Sequence, residues 1–352
     1  MKTKIAGIVV LLLVVLAGGG YYIYSENMKV TTLNGYLGGE KIGLFEDEEI
    51  QSILKKKYQV EFEYSRAGSL DMVTADQTGR DYLFPSSQTA LEYYQDTYGK
   101  TASDEIIFNT PLVLYSHKIV ADVLEQKGVV SQKDGVYYAD MKKLVELIES
   151  DTKWSDLGLT QLYGNVSVDT TDPVKSNSGN MFAALVACAI NNENSVETDT
   201  VDTVLPRLKG IFEKLGYMET SSSDLFNQFL RMGVGAKPII AGYESQLLEY
   251  AAEKPDEYAR IRDDVVIIYP TPTIWSTHIY IALDDDGKKG IEALLDEKIQ
   301  KLAWEKHGFR TSGYDISSEG GEGKVTGVCE EVISVMNMPE YDAMRKIMEG
   351  LE

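Results

Sequence analysis

A strand, a polar or glycine-bearing loop and a helix follow one another three times within the first hundred residues. That repetition constrains the fold of this 352-residue chain more than any other feature. Residues 29–33 alternate as a strand, 34–41 form a loop containing Gly38 and Gly39, and 46–54 place acids first, then Ile50, Ile53 and Leu54 at helical spacing. Residues 60–64, the loop 65–69 and a helix starting at Leu70 repeat the unit; 82–84, 85–88 and 89–94 repeat it again. Strands joined through helices run parallel, so the pattern predicts an α/β fold with a mostly parallel sheet covered by helices. Ligands of such sheets bind beyond the carboxyl ends of the strands, where all three loops lie.

Beyond residue 100 the pattern changes. Two short apolar strands, 106–108 and 111–115, come in close succession. Helical periodicity then marks 119–126, 141–149, 181–190, 204–215 and 225–232, with 238–242 as a strand among them. Residues 265–269 read as a buried strand, 270–278 lead into another at 279–283, helix continues through 306, and a charged helix begins at Pro339.

The segment from Asp172 to Asn180 runs directly into the helix at 181–190. Pro173 stops what precedes it, and Ser178 or Asn177 is expected as N-cap. The first N–H groups of a helix lack internal partners and sit at the positive end of its dipole, so Lys175, Ser176, Asn177 and Ser178 beside them suit an anion or carboxylate. An ordinary capped helix explains the same residues.

With 34 basic and 55 acidic residues the formal charge is −21, which opposes general binding to nucleic acid or anionic lipid. Cys188 and Cys329 lie far apart, and His117, His278 and His307 form no ligand spacing, so no metal or other cofactor is expected. Lys2 and Lys4 precede 20 uncharged residues, 5–24, long enough to span a bilayer with the lysines in the cytoplasm; a cleaved signal peptide is the rival reading. Either reading exports the remainder to the extracytoplasmic face of a bacterial membrane, anchored or secreted.

The succession of a βα half, an exit strand near 112, a mostly helical insertion and a return strand near 266 resembles the type II periplasmic (extracellular) solute-binding proteins, receptor subunits of ABC importers. The resemblance covers about residues 29–315. It is carried by 109–117 as the outgoing hinge, by Asp172-Pro173 with 176–179 as a ligand loop, and by 238–245 as a strand entering a helix. Residues 300–310 resemble the late helix of molybdate- and phosphate-type members. The resemblance implies residues 1–28 as anchor or signal and tether, 29–111 with 267–352 as lobe 1, and 112–266 as lobe 2. It also implies a cleft walled by Gly38, Gly39, Ser65, Arg66, Gly68, Ser69, Ser86 and Ser87 on one side, and by Lys175, Ser176, Asn177, Ser178, Tyr243 and Glu244 on the other. Arg66 reads equally as a surface ion pair, Ser86 as a helix cap, Gly38 and Gly39 as a turn, and Tyr243 with Glu244 as a solvated helix start. The implied function is capture of a small solute, an oxyanion or small carboxylate, by hinge closure for uptake with an ABC permease, without catalysis. The alternative is a membrane-anchored sensor or protein-interaction module. Glu244 in the cleft would oppose a bare oxyanion.

Overall fold

The computed structural model describes residues 29–311, 325–332 and 334–352; the expected anchor at 1–28 lies outside them. Among the described residues no helix is long and apolar enough to cross a membrane.

In chain order, β1 (Thr31–Leu37) turns through a short 3-10 helix, Gly39–Lys41, into α1 (Ile42–Glu46) and α2 (Glu48–Ile53). Asp47 divides these two helices because its carboxylate accepts from the N–H groups of Glu49 and Ile50 at 2.8 and 3.0 Å, as an N-cap should. Then come β2 (Val60–Arg66), α3 (Asp71–Thr74), β3 (Tyr82–Phe84), α4 (Gln88–Tyr98) and the 15-residue β4 (Ser103–His117). The middle of the chain holds α5 (Lys118–Gln126), β5 (Val130–Lys133), β6 (Val136–Asp140), α6 (Met141–Glu149), α7 (Asn177–Ile190), α8 (Val201–Phe212), α9 (Ser222–Met232), β7 (Ile239–Tyr243), α10 (Glu244–Glu253) and α11 (Pro255–Ile261). β8 (Val265–Thr271), β9 (Trp275–Ala282), α12 (Gly287–Leu294), α13 (Glu297–His307) and α14 (Tyr341–Leu351) complete it.

Nine strands form a mixed sheet in the order β2-β1-β3-β9-β4-β8-β6-β5, with β7 also on β4. The expected mostly parallel sheet is corrected here: β1 pairs in parallel with β2 and β3, and β6 with β8, but β9 and β4 run against their neighbours. β4 belongs to both halves of the sheet. Its first part, to Pro111, pairs with β9; from Leu112 it pairs with β7 and β8 instead. The expected strands 106–108 and 111–115 are this one strand. The return between β8 and β9 passes beside it, where Leu112 donates to the Ile274 carbonyl at 2.9 Å and Thr273 Oγ1 donates to the Leu112 carbonyl at 2.5 Å.

Each half has its own apolar cores. Leu33, Leu37, Phe84, Phe108 and Tyr280 pack on one, Leu112, Leu114, Met181, Phe182 and Leu208 on the other. α7 lies inside the second half, buried from Ser178 to Ile190, which explains its uninterrupted Ala-rich apolar run. The C-terminal helix departs from the expected grouping of 267–352. Ala343, Met344 and Ile347 of α14 enter the core of the second half, because its apolar stripe meets α8 and α7, while Tyr341 stacks on Tyr93 of α4 at 4.5 Å.

Candidate functional site

The carboxyl ends of β1 and β2 face the amino ends of α7 and α9 across the gap between the halves, enclosing a cavity of about 480 Å³. From the first half come Gly38, Gly39 and Glu40 after β1, and Arg66 to Ser69 with Asp71 after β2. The glycines are needed for close approach. A Cβ on Gly39 would stand 2.7 Å from Arg66 Nε, and one on Gly68 would stand 2.5 Å from the Lys175 carbonyl oxygen on the opposite wall.

The second half contributes Lys175, Ser176 and Asn177 at the start of α7, Thr220 to Ser222 with Asp224 at the start of α9, and Tyr243 at the end of β7. Ser176, rather than the expected Asn177 or Ser178, is the N-cap of α7, since its backbone is still extended (φ −133, ψ 134). Neither Ser176 nor Ser221, the N-cap of α9, caps a backbone N–H of its helix with its side chain, although Ser176 Oγ lies 3.2 Å from Ser178 Oγ. Two helix starts therefore meet the cavity without side-chain caps. Asn177 Nδ2 crosses the gap to the Ser86 carbonyl at 2.8 Å and also reaches Tyr243 Oη at 3.0 Å.

Acids outnumber bases around the cavity. Glu40, Asp71 and Asp224 line it, against Arg66 and Lys175. Arg66 lies 3.5 Å from Asp224 across the gap, and Lys175 lies 3.4 Å from Asp172. Both bases are exposed enough for each pair to contribute less than about 1 kcal/mol. Burial, followed by the neighbouring charge of Asp172, raises the Asp71 carboxyl above its ordinary value, with Lys175 opposing.

Beneath the cavity floor sits a buried ion pair. The Lys41 ammonium, wholly enclosed, donates to Glu40 Oε1 at 2.5 Å and Ser86 Oγ at 2.6 Å, and lies 3.1 Å from His278 Nδ1. Its three protons are thereby matched to three acceptors. Burial alone would raise the Glu40 carboxyl, but the Lys41 charge, with hydrogen bonds from Lys41 and Ser86, holds it at about 2. Burial and Lys41 push His278 well below its ordinary value, so it stays neutral and can accept from the ammonium.

Of the residues expected in the cleft, Gly38, Gly39, Arg66, Gly68, Ser69, Lys175, Ser176, Asn177 and Tyr243 line the cavity together. The other five do not. Ser65 accepts from Arg80 at 3.3 Å, and Ser87 is buried at the start of α4. Ser86 lies under the floor, bonded to Lys41 and Glu40, and Ser178 is turned inward, 2.7 Å from Thr171 Oγ1. Glu244 is wholly buried away from the cavity, gripping Arg310 through Nε at 2.7 Å and Nη2 at 2.8 Å and accepting from Tyr269. It acts as counter-ion to a buried guanidinium and is withdrawn as a cleft residue. Sequence reasoning missed Glu40, Asp71 and the start of α9. The run Ser221-Ser-Ser-Asp224 before an apolar helix is a readable start signal, but only the fold brings it opposite β2.

No protein-family model and no curated relative matches the chain. Solved structures do match its fold. A periplasmic thiamin binding protein superposes with TM-score 0.59 at 10% identity, covering 92% of this chain and 97% of that one. The periplasmic binding protein AfuA from Actinobacillus pleuropneumoniae, with exogenous fructose-6-phosphate bound, gives 0.56 at 12% identity over 91% and 97%. The sulfate-binding protein SubI from Mycobacterium tuberculosis H37Rv gives 0.50 at 14% identity over 81% and 87%. The fold is thus that of the periplasmic and extracellular solute-binding proteins, and these neighbours are binding proteins.

Proposed function

We propose that the chain is an extracytoplasmic solute receptor. It captures a small solute bearing an anionic group between two lobes and delivers it to an ABC permease, with residues 1–28 as tether. One lobe is built on β1, β2, β3 and β9, the other on β5 to β8, and β4 with the segment 271–275 forms the hinge between them. The observation that carries the reading is the cavity itself: the starts of α7 and α9, whose N-cap side chains make no cap hydrogen bond, open into it opposite the carboxyl ends of β1 and β2. Nothing in this arrangement requires bond chemistry. Contacts from both walls favour the closed state by their difference in affinity for the two states.

A thermal-shift panel of oxyanions, amino acids, sugar phosphates and small carboxylates on the full-length chain tests the reading. A solute at a hundred times its Kd adds about 2.7 kcal/mol, a clear rise in Tm. That rise is expected to shrink in Asn177→Ala, which loses the contact between walls. Silence across the panel refutes the proposal.

A further inference from the structure

We propose that the solute is zwitterionic: the Glu40 carboxylate receives its cationic group while the starts of α7 and α9 receive its anionic one. This rests on the solute-receptor reading above and names the ligand class of the same site.

Three observations carry it. The Glu40 side chain is 9% exposed, and that exposure faces the cavity it lines. Its two oxygens are not equivalent. Oε1 takes both Lys41 and Ser86, with His278 3.7 Å away, whereas Oε2 has no hydrogen-bond partner among the described residues. Oε2 is not among the fully buried unpaired atoms, so it is open to solvent, and a charged donor is its strongest partner there. Finally, among the described residues each cation at the cavity already has a carboxylate beside it, so a bare dianion would have to compete with that acid. Arg66 is engaged by Asp224 and Lys175 by Asp172, and Lys41 lies wholly beneath the floor. A bare oxyanion seated on the helix starts would share the cavity with Glu40 and Asp71. A solute carrying its own ammonium neutralises that acid and completes Oε2.

The geometry separates the two ends of the solute. The helix starts belong to the second half, where the α9 acid Asp224 is set against Arg66, whereas Glu40 and Asp71 belong to the first, so each end of a zwitterion engages a different wall. Closure then requires both charges in one molecule, which is a basis for discriminating against abundant simple anions.

Titration calorimetry on the full-length chain with matched probes tests this: aminomethylphosphonate against methylphosphonate, and glycine against acetate, with sulfate as the simple anion. Within at least one pair the amino-bearing member is expected to bind about tenfold or more tightly, the worth of a charge-assisted hydrogen bond. The ratio is expected to collapse toward unity in Glu40→Gln. Because that change strands Lys41, Glu40→Gln/Lys41→Met, which removes both buried charges, is measured alongside and is expected to show the same collapse. Equal binding within the pairs, or binding of sulfate and the desamino probes alone, overturns the zwitterion while leaving the receptor reading intact. An amino preference that survives both variants overturns the assignment to Glu40. No binding by any probe overturns the zwitterion together with the receptor reading.

Discussion

Gly68→Ala separates the proposed closure from folding. Gly68 sits on the first wall, and an added Cβ would stand 2.5 Å from the Lys175 carbonyl oxygen on the second, with Asp71 Oδ2 at 3.0 Å. The Asp71 carboxyl can rotate away, but the carbonyl cannot. Its loop is pinned by the amides of Lys175 and Ser176 on the Asp172 carbonyl at 3.2 and 2.9 Å, and by the Val174 amide on Asp172 Oδ1 at 2.9 Å. The walls must therefore part by roughly 1 Å to restore ordinary carbon–oxygen contact. Overpacking of this kind costs about 1–3 kcal/mol. Under the proposed hinge closure this cost falls on the state in which the walls meet, so the apparent Kd should rise about 5- to 150-fold. The φ of Gly68 is not in the left-handed region, so in the solute-free chain alanine is tolerated, and the narrower unfolded ensemble holds stability level or raises it slightly. Titration calorimetry gives the affinity and thermal unfolding the solute-free stability. Unchanged affinity, or a solute-free Tm that falls in step with the affinity, would refute the reasoning.

The buried pair predicts a two-stage acid response. His278, held neutral in the fold, loses stability relative to the unfolded chain as pH drops below its ordinary 6.5. Glu40, lowered from 4.5 to about 2, contributes stability that is present above pH 4.5 and lost as pH falls toward 2. Urea midpoints should decline gently below about pH 6.5 and steeply below 4.5, with the upper stage absent in His278→Asn; a flat profile between pH 7 and 3 contradicts this. Glu244→Ala leaves Arg310 buried without its counter-ion and should cost about 3–5 kcal/mol in chemical denaturation. A loss below 1 kcal/mol would show that this pair does not hold the fold.

The βα units of the first hundred residues were legible because each carries its own strand alternation, glycine loop and amphipathic helix. β4 was harder. Pro111 within an apolar run reads as a strand break, yet it stands where the strand changes partners, opposite Trp275, and needs no further ladder bond there. The β5–β6 hairpin lacks an apolar pattern in its first strand. Its signal was Asp134-Gly135, whose φ values of 52 and 82 form the tight turn that Asp-Gly favours.

At the site, sequence located the loops but not the facing of their side chains. Tyr243 and Glu244 are neighbours at a strand end and a helix start, so they point to different sides, one into the cavity and one to Arg310. The burial of Lys41 was equally invisible, because it depends on Ser86, in the loop after β3, and on His278 of β9, both distant in the chain.

The most direct test of solute capture by closure is a distance across the cleft mouth. Spin labels at Thr74→Cys on α3 and Asn227→Cys on α9 occupy exposed positions on opposite walls. Pulsed electron resonance on the full-length chain, with and without the first solute identified by thermal shift, should show a broad, longer distance without solute and a shorter, narrower one at saturation. Identical distance distributions in the two states would contradict the hinge account.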